Sequence, residues 1–453
     1  MTIQIKYLAL AACVALASTT GCKNFLLAEN GVVDPNNPSV ATKDQLLVGA
    51  QSNLMGTQEN HLAQVVCQFM QQCAGIGGRF VDVEGAYGIQ DGSFEGPWDA
   101  IFSQGGLIQL RELQARAADT KDLQYKGIAE VMESILIGTA TDVWGNVPYR
   151  EALTSPTPKL DPQLQVYDDL QALLDRAIAD LTAGSNANRP SDLFYNGSRT
   201  KWTQLAYTLK ARLYLHTVEK LGAGQYAKAI AAASKGISSS GGDLLAVHTT
   251  ASGQQDVWYQ FQQTSFGSDL VAGSTLVNLM VARNDPRLAQ YFGANGNGEF
   301  VGYDVTTGDQ SMDFATIVNA GRNTPTFGQP YVTYVENQLI LAEAYGQTVG
   351  IGAAQPFLNA ARSELGFNST APATLENIIN EKYIALFQNL EVWNDYKRTC
   401  YPRMTPAASF KQIPGRVYYP QQEQQVNSTN VPNVEAQRST NGFRNPNDPN
   451  ACT

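Results

Sequence analysis

The sequence predicts a mostly α-helical protein of stacked helical pairs with a loop-rich second lobe. Three observations carry that expectation. Apolar residues recur at spacings of three and four in long runs before residue 240 and after residue 330, the mark of amphipathic helices. Short polar turns separate those runs, so each helix can fold back on the one before it. Between Gly241 and Pro330 the spacing is lost, and Gly, Ser, Asn and aromatic residues alternate without helical period, as in GANGNGEFVGYDVTTGDQ.

Taken in order, the chain begins with Lys6 and the apolar run Tyr7 to Ala17. That run is too short to span a bilayer, which takes about 20 apolar residues, but it has the charged start and short apolar centre of a secretory signal. Gly21-Cys22 follows, a small residue before a cysteine, as a lipoprotein signal peptidase requires; Thr19 stands where Leu is usual. Residues 1–21 are therefore expected to be a lipoprotein signal, Cys22 the acylated terminus, and residues 22–38 a tether that closes in the turn-rich Asp34-Pro35-Asn36-Asn37-Pro38.

An N-terminal helical-pair region is expected over residues 39–240. Its stripes include Leu46, Leu47, Ala50 and Leu54, then Leu62, Val65, Val66 and Phe69, then Ile128, Val131 and Ile135. Tyr167, Leu170, Leu174 and Leu181 form another, and Trp202, Leu205, Leu209 and Leu213 the next. Residues 241–330 form the loop-rich lobe, with one short helix near Thr275 to Ala282; residues 331–426 return to helix, and 427–453 read as an irregular tail. The paired helices resemble tetratricopeptide architecture, in which each pair buries its face on the next, although the consensus of roughly 34 residues is absent.

Composition narrows the function. The formal charge of −10 disfavours nucleic acid and anionic headgroups as partners. Charged residues make up 16%, below the usual share of about 25%, and amides and hydroxyls replace them, which suits a neutral ligand. Neither a G-x-S-x-G elbow nor an H-E-x-x-H helix occurs, no local motif nominates a glycosidase carboxylate pair, and the sequence is read as a non-enzyme. His61, His216 and His248 are scattered, with no H-x-x-x-H pair, so neither a metal nor any other cofactor is expected. Cys67, Cys73, Cys400 and Cys452 remain after Cys13 and Cys22 are set aside; four cysteines allow three pairings. The expected pairs are Cys400 with Cys452, which would pin the tail, and Cys67 with Cys73, which needs a bend because six residues of straight helix hold Cα atoms about 9 Å apart.

An ordered series of segments resembles the SusD/RagB family. It begins with Thr141-Asp142-Val143-Trp144-Gly145-Asn146-Val147-Pro148-Tyr149 and the Tyr167–Leu181 helix, and continues through Trp202 with Lys210-Ala211-Arg212. Glu336 to Ala344, Leu358-Asn359 with Arg362, Glu381-Lys382, Trp393-Asn394-Asp395 with Lys397-Arg398, and Ile413-Pro414 to Pro420 complete it. The chain departs from the family in its ending, which lacks the usual aromatic and carries a tail to Cys452.

The resemblance implies a SusD-like α–α superhelix at the outer membrane, lipid-anchored and exposed at the cell surface. It further implies capture of an oligosaccharide for a SusC-like TonB-dependent transporter. Peptide or another oligomer as cargo, and a tetratricopeptide-like protein-binding scaffold, are the alternatives. Glu343, Arg362, Glu381 and Arg398 are expected as helix-packing ion pairs, and Trp144 and Trp202 as core anchors. Sugar rings stack their C–H faces on aromatics, so aromatics off the helical stripes are the ligand candidates: Phe80 and Tyr87 beside Arg79, then Trp258, Tyr259 and Phe266, and Phe327. Phe94, Phe261, Tyr303 and Tyr331 belong to the same wider set.

Overall fold

The computed structural model describes residues 41–81, 87–308, 311–407, 412–439, 442–446, 448 and 452. The expected signal, Cys22 and the tether lie outside the described residues. The chain divides into Met1–Gln45 and Leu46–Thr453, and the fold below is that of the second unit.

Helices α1 (Lys43–Glu59) and α2 (His61–Phe69) lead into the short strand β1 (Cys73–Gly75). Then come α3 (Glu95–Phe102), α4 (Leu107–Asp119), α5 (Leu123–Trp144), α6 (Gln163–Ala183), α7 (Arg199–His216) and α8 (Gly224–Ala233). Each of α4 to α8 packs on its predecessor, the arrangement the three–four spacing demands. The start of α5 is fixed by Asp122, whose carboxylate accepts from the Tyr125 N–H, and that of α7 by Ser198. Gly127 lets α5 and α6 approach closely: a Cβ there would lie 2.7 Å from Leu181 Cγ. Gly145 ends α5 at φ +84°, a conformation that favours glycine.

After α8 the chain leaves the stack through strand β2 (Leu244–Leu245), helix α9 (Val257–Gln262), strand β3 (Leu270–Ala272) and helix α10 (Ser274–Ala282). It returns through β4 (Pro330–Val332) to α11 (Tyr334–Thr348), α12 (Ile351–Glu364), α13 (Leu375–Ala385) and α14 (Glu391–Thr399). Helix α11 packs on α8, joining Ala229, Ala232 and Ala233 to Ile340, Leu341 and Ala344 in one buried cluster. The later helices thus continue the stack across the 241–330 excursion. Sheets among the described residues are two antiparallel pairs, β1 with β3 and β2 with β4. No described helix is long and apolar enough to cross a membrane.

Two elements differ from the sequence reading. Helix α9 is too short to show a period; it forms because Asp256 caps it, accepting from the Tyr259 N–H at 2.6 Å. Within the tail, Val434–Ser439 is helical, and Gln437 and Asn445 are buried against the body. The Asn445 amide donates to the Asp142 carbonyl at 3.0 Å.

Cys67 is bonded to Cys73 and Cys400 to Cys452, with Cα separations of 5.2 and 5.1 Å. For the first pair, α2 ends at Phe69 and Gln71 takes φ +51°, turning the chain into β1. Trp144 and Trp202 are fully buried, their indole N–H groups donating to the Tyr418 carbonyl and the Asp192 carboxylate.

The expected ion pairs are present: Arg398 with Glu343 at 2.6 Å and Arg362 with Glu381 at 3.1 Å. Both belong to larger networks. Arg398 also reaches Asp395, which takes Lys382 at 2.7 Å, and Glu381 is shared by Arg283, Arg287 and Arg362.

Candidate functional site

The β1–β3 pairing sets the candidate ligand region. By joining Cys73–Gly75 to Leu270–Ala272, it brings the 76–80 segment beside α9 and the 264–269 turn. The Ile76 N–H donates to the Asp269 carbonyl at 2.8 Å. Phe80 packs edge-on against Phe261, ring centroids 5.5 Å apart, and the Arg79 guanidinium lies 4.6 Å over the Phe80 ring while donating to Gln64 at 2.8 Å. At the other end of α9, the Asp256 N–H donates to the Pro325 carbonyl at 2.8 Å, tying in the loop that carries Phe327. The Arg322 guanidinium covers the Phe327 ring at 4.5 Å.

The expected site residues divide by burial. Phe266 is 61% exposed, and Arg79 is exposed too. Tyr259, Phe261 and Phe327 are half-buried. Phe80, Tyr87 and Trp258 correct the sequence reading: they are 2%, 5% and 2% exposed, so they offer no open face for a sugar ring. Their neighbours are remote in sequence. Tyr87 stands edge-on to Phe69, and its hydroxyl accepts from the Ala407 N–H. Tyr303 and Tyr331 are buried as well. The structure therefore joins Arg79, Phe80 and Phe261, links the Phe327 loop through Asp256, and leaves Phe266 as the open aromatic face.

Sequence spacing missed two buried clusters, each a histidine between two carboxylates: Asp142–His216–Glu391 and Glu59–His248–Asp256. In the first, His216 Nε2 lies 2.8 Å from Glu391 and Nδ1 3.2 Å from Asp142. Arg212 stands 3.7 Å from Glu391, and Lys397 donates to the Asp142 carbonyl at 2.7 Å. A cavity of about 30 Å³ adjoins them, room for about one water. With Arg212, which also pairs with Glu336 at 2.6 Å, and Lys397 beside it, this cluster is an ion network tying α5, α7, α11 and α14.

Burial alone would lower the His216 pKa, but Glu391 and Asp142 outweigh it and push it up to about 10. Its folded value lies above the usual 6.5, so its stabilisation is full below 6.5 and is lost as pH rises through about 10. Nitrogen-detected imidazole NMR should find both His216 nitrogens protonated at pH 8. A titration near the ordinary value would contradict the network.

The comparisons agree with this architecture. Residues 35–363 match the family model described as starch-binding associating with outer membrane, and residues 334–442 the one described as SusD and RagB outer membrane lipoprotein. No curated protein matches the chain. Among solved structures, a chitin-binding protein is similar at 22% identity and a TM-score of 0.76, covering 90% of this chain and all (100%) of that one. A chitin-binding SusD homolog from Flavobacterium johnsoniae is 18% identical with a TM-score of 0.74, covering 90% of this chain and 99% of the other. A SusD-like protein from Bacteroides thetaiotaomicron is also 18% identical with a TM-score of 0.74, over 90% and 97% of the two chains. At such identities these likenesses speak for the fold, and the family rests on the sequence match. The chain belongs to the SusD/RagB family of outer membrane lipoproteins.

Proposed function

We propose that this protein is a surface lipoprotein that binds oligosaccharide without altering it and hands it to a TonB-dependent outer-membrane transporter. The observation that carries the reading is the family match over residues 35–363, whose description joins starch binding to the outer membrane. Three further observations support it: the Gly21-Cys22 lipidation signal, the uncharged amide-rich composition, and two similar structures described as chitin-binding. The cargo is a neutral oligosaccharide of several sugar units, and release to the transporter calls for modest affinity.

The proposed binding face lies along the exposed side of the α9 region, with Phe266 after its C-terminal end as the stacking ring, Arg79 supplying donors, and Tyr259 and, towards the other end, Phe327 as further aromatics. Phe266→Ala should weaken glycan binding about tenfold or more, since losing one ring stack costs on the order of 1–3 kcal/mol by analogy with base stacking. The melting temperature should not move, because the ring is largely in solvent. Unchanged affinity in this variant would move the face elsewhere. Affinity purification of the tagged full chain from outer membranes should bring down a TonB-dependent transporter. Recovery with soluble periplasmic proteins alone would favour a protein-binding scaffold.

A further inference from the structure

We propose that Glu59, His248 and Asp256 form a buried binding site for one zinc-class divalent cation beside α9, behind a pocket that His248 lines. The three come from separate elements: Glu59 ends α1, His248 follows β2, and Asp256 caps α9. Glu59 and Asp256 are fully buried, and the His248 side chain is 5% exposed. His248 Nε2 lies 3.0 Å from Glu59 Oε2 and 3.9 Å from Asp256 Oδ2, and one ligand atom from each residue falls within 4.8 Å of the others. Ligands bonded at 2.0–2.2 Å around a tetrahedral ion stand about 3.4 Å apart, so small adjustments close the shell.

Three features point to a cation rather than to a self-contained hydrogen-bonded group. Asp256 Oδ2 is buried and has no hydrogen-bond donor, although it faces the cluster. A buried carboxylate oxygen left in that state costs free energy that a metal bond would remove. Next, among the described residues one histidine alone forms an ion pair with the two buried carboxylates, and Arg322 adds positive charge near Asp256 without bonding it. The neighbouring Arg322 gives a guanidinium nitrogen to Gln329 and Gln388 instead, at 3.0 and 2.7 Å. One divalent ion with a neutral imidazole neutralises both carboxylates. The Asp142–His216–Glu391 cluster differs in that both His216 ring nitrogens face a carboxylate, at 3.2 and 2.8 Å, and Arg212 stands 3.7 Å from Glu391.

Lastly, the outer partners that orient metal ligands are in place. The Tyr331 hydroxyl donates to Glu59 Oε1, the Tyr259 N–H donates to Asp256 Oδ1 at 2.6 Å, and the His248 ring also bonds the main chain at Gln254. Imidazole with two carboxylates suits zinc and its neighbours better than calcium, which favours all-oxygen shells. His248 also lines an open pocket of about 320 Å³ with Met55, Val247, Thr249, Gln254 and Val257, which gives an ion an approach from the histidine side. The proposal departs from the expectation of no metal that the scattered histidines suggest.

The test uses the full chain in mild detergent, stripped with a chelator and titrated with zinc chloride by calorimetry. One equivalent should bind and raise the melting temperature. Asp256→Asn keeps the capping oxygen and removes the second carboxylate; it should fold and bind zinc at least tenfold more weakly. X-ray absorption of the zinc-loaded wild type should show one imidazole with oxygen ligands and no sulfur. Failure to take up one equivalent, uptake by Asp256→Asn at wild-type strength, or a zinc shell without imidazole would each overturn the site.

Discussion

Glu381→Ala should destabilise the protein by about 3–5 kcal/mol, the range for breaking a buried ion pair by removing one partner. Glu381 is fully buried on α13, and its carboxylate takes Arg283, Arg287 and Arg362 together. Asp285 pairs with Arg287 and gives partial compensation. Without Glu381, three guanidinium groups from the α10–α13 region face one remaining carboxylate. Urea denaturation of the variant beside the wild type measures the loss, and a change under 1 kcal/mol would contradict the proposed charge sharing.

The same group predicts a pH dependence. Burial alone would raise the Glu381 pKa, but Arg287 and Arg283 more than offset this and hold it below the usual 4.5. The folded value lies below the unfolded one, so the stabilisation is present above pH 4.5 and is lost as pH falls through the folded value. Wild type and Glu381→Ala should therefore converge in stability in acid.

Trp258→Ala should also cost about 3–5 kcal/mol, the usual range for emptying a buried tryptophan site. Sequence reading places Trp258 among the stacking rings, yet the side chain is only 2% exposed inside α9. Truncating it leaves a cavity beneath the segment that carries Tyr259 and Phe261. Glycan binding should fail together with stability, unlike Phe266→Ala, which should spare stability. A Trp258→Ala protein with wild-type stability and no glycan binding would restore Trp258 as a platform.

The contrast between these two aromatics shows what the sequence could reveal. Helices α5, α6 and α7 were legible because their apolar stripes repeat over 18 or more residues and face one core. The ion pairs of Glu343 and Glu381 were legible as well, since carboxylates and arginines on packed helices rarely stay buried alone. Helix α9 was not, because six residues are too few to display a period. Nor does an aromatic in a loop-rich stretch declare its burial: Phe80 is covered by Phe261 only because β1 pairs with β3 nearly 200 residues later. The Glu59–His248–Asp256 cluster escapes motif reading for the same reason. Its members are separated by 189 residues between Glu59 and His248, where no local spacing rule applies.

Whether the chain binds oligosaccharide and leaves it intact is tested by one measurement. The chain in mild detergent is titrated calorimetrically with chito- and malto-oligosaccharides, and the sugar is recovered afterwards for chromatography. Saturable, modest-affinity binding of at least one oligosaccharide is expected, with the sugar recovered at its original length after prolonged incubation. Absence of binding across these sugars together with saturable binding of a peptide, or progressive shortening of the bound sugar, would contradict it.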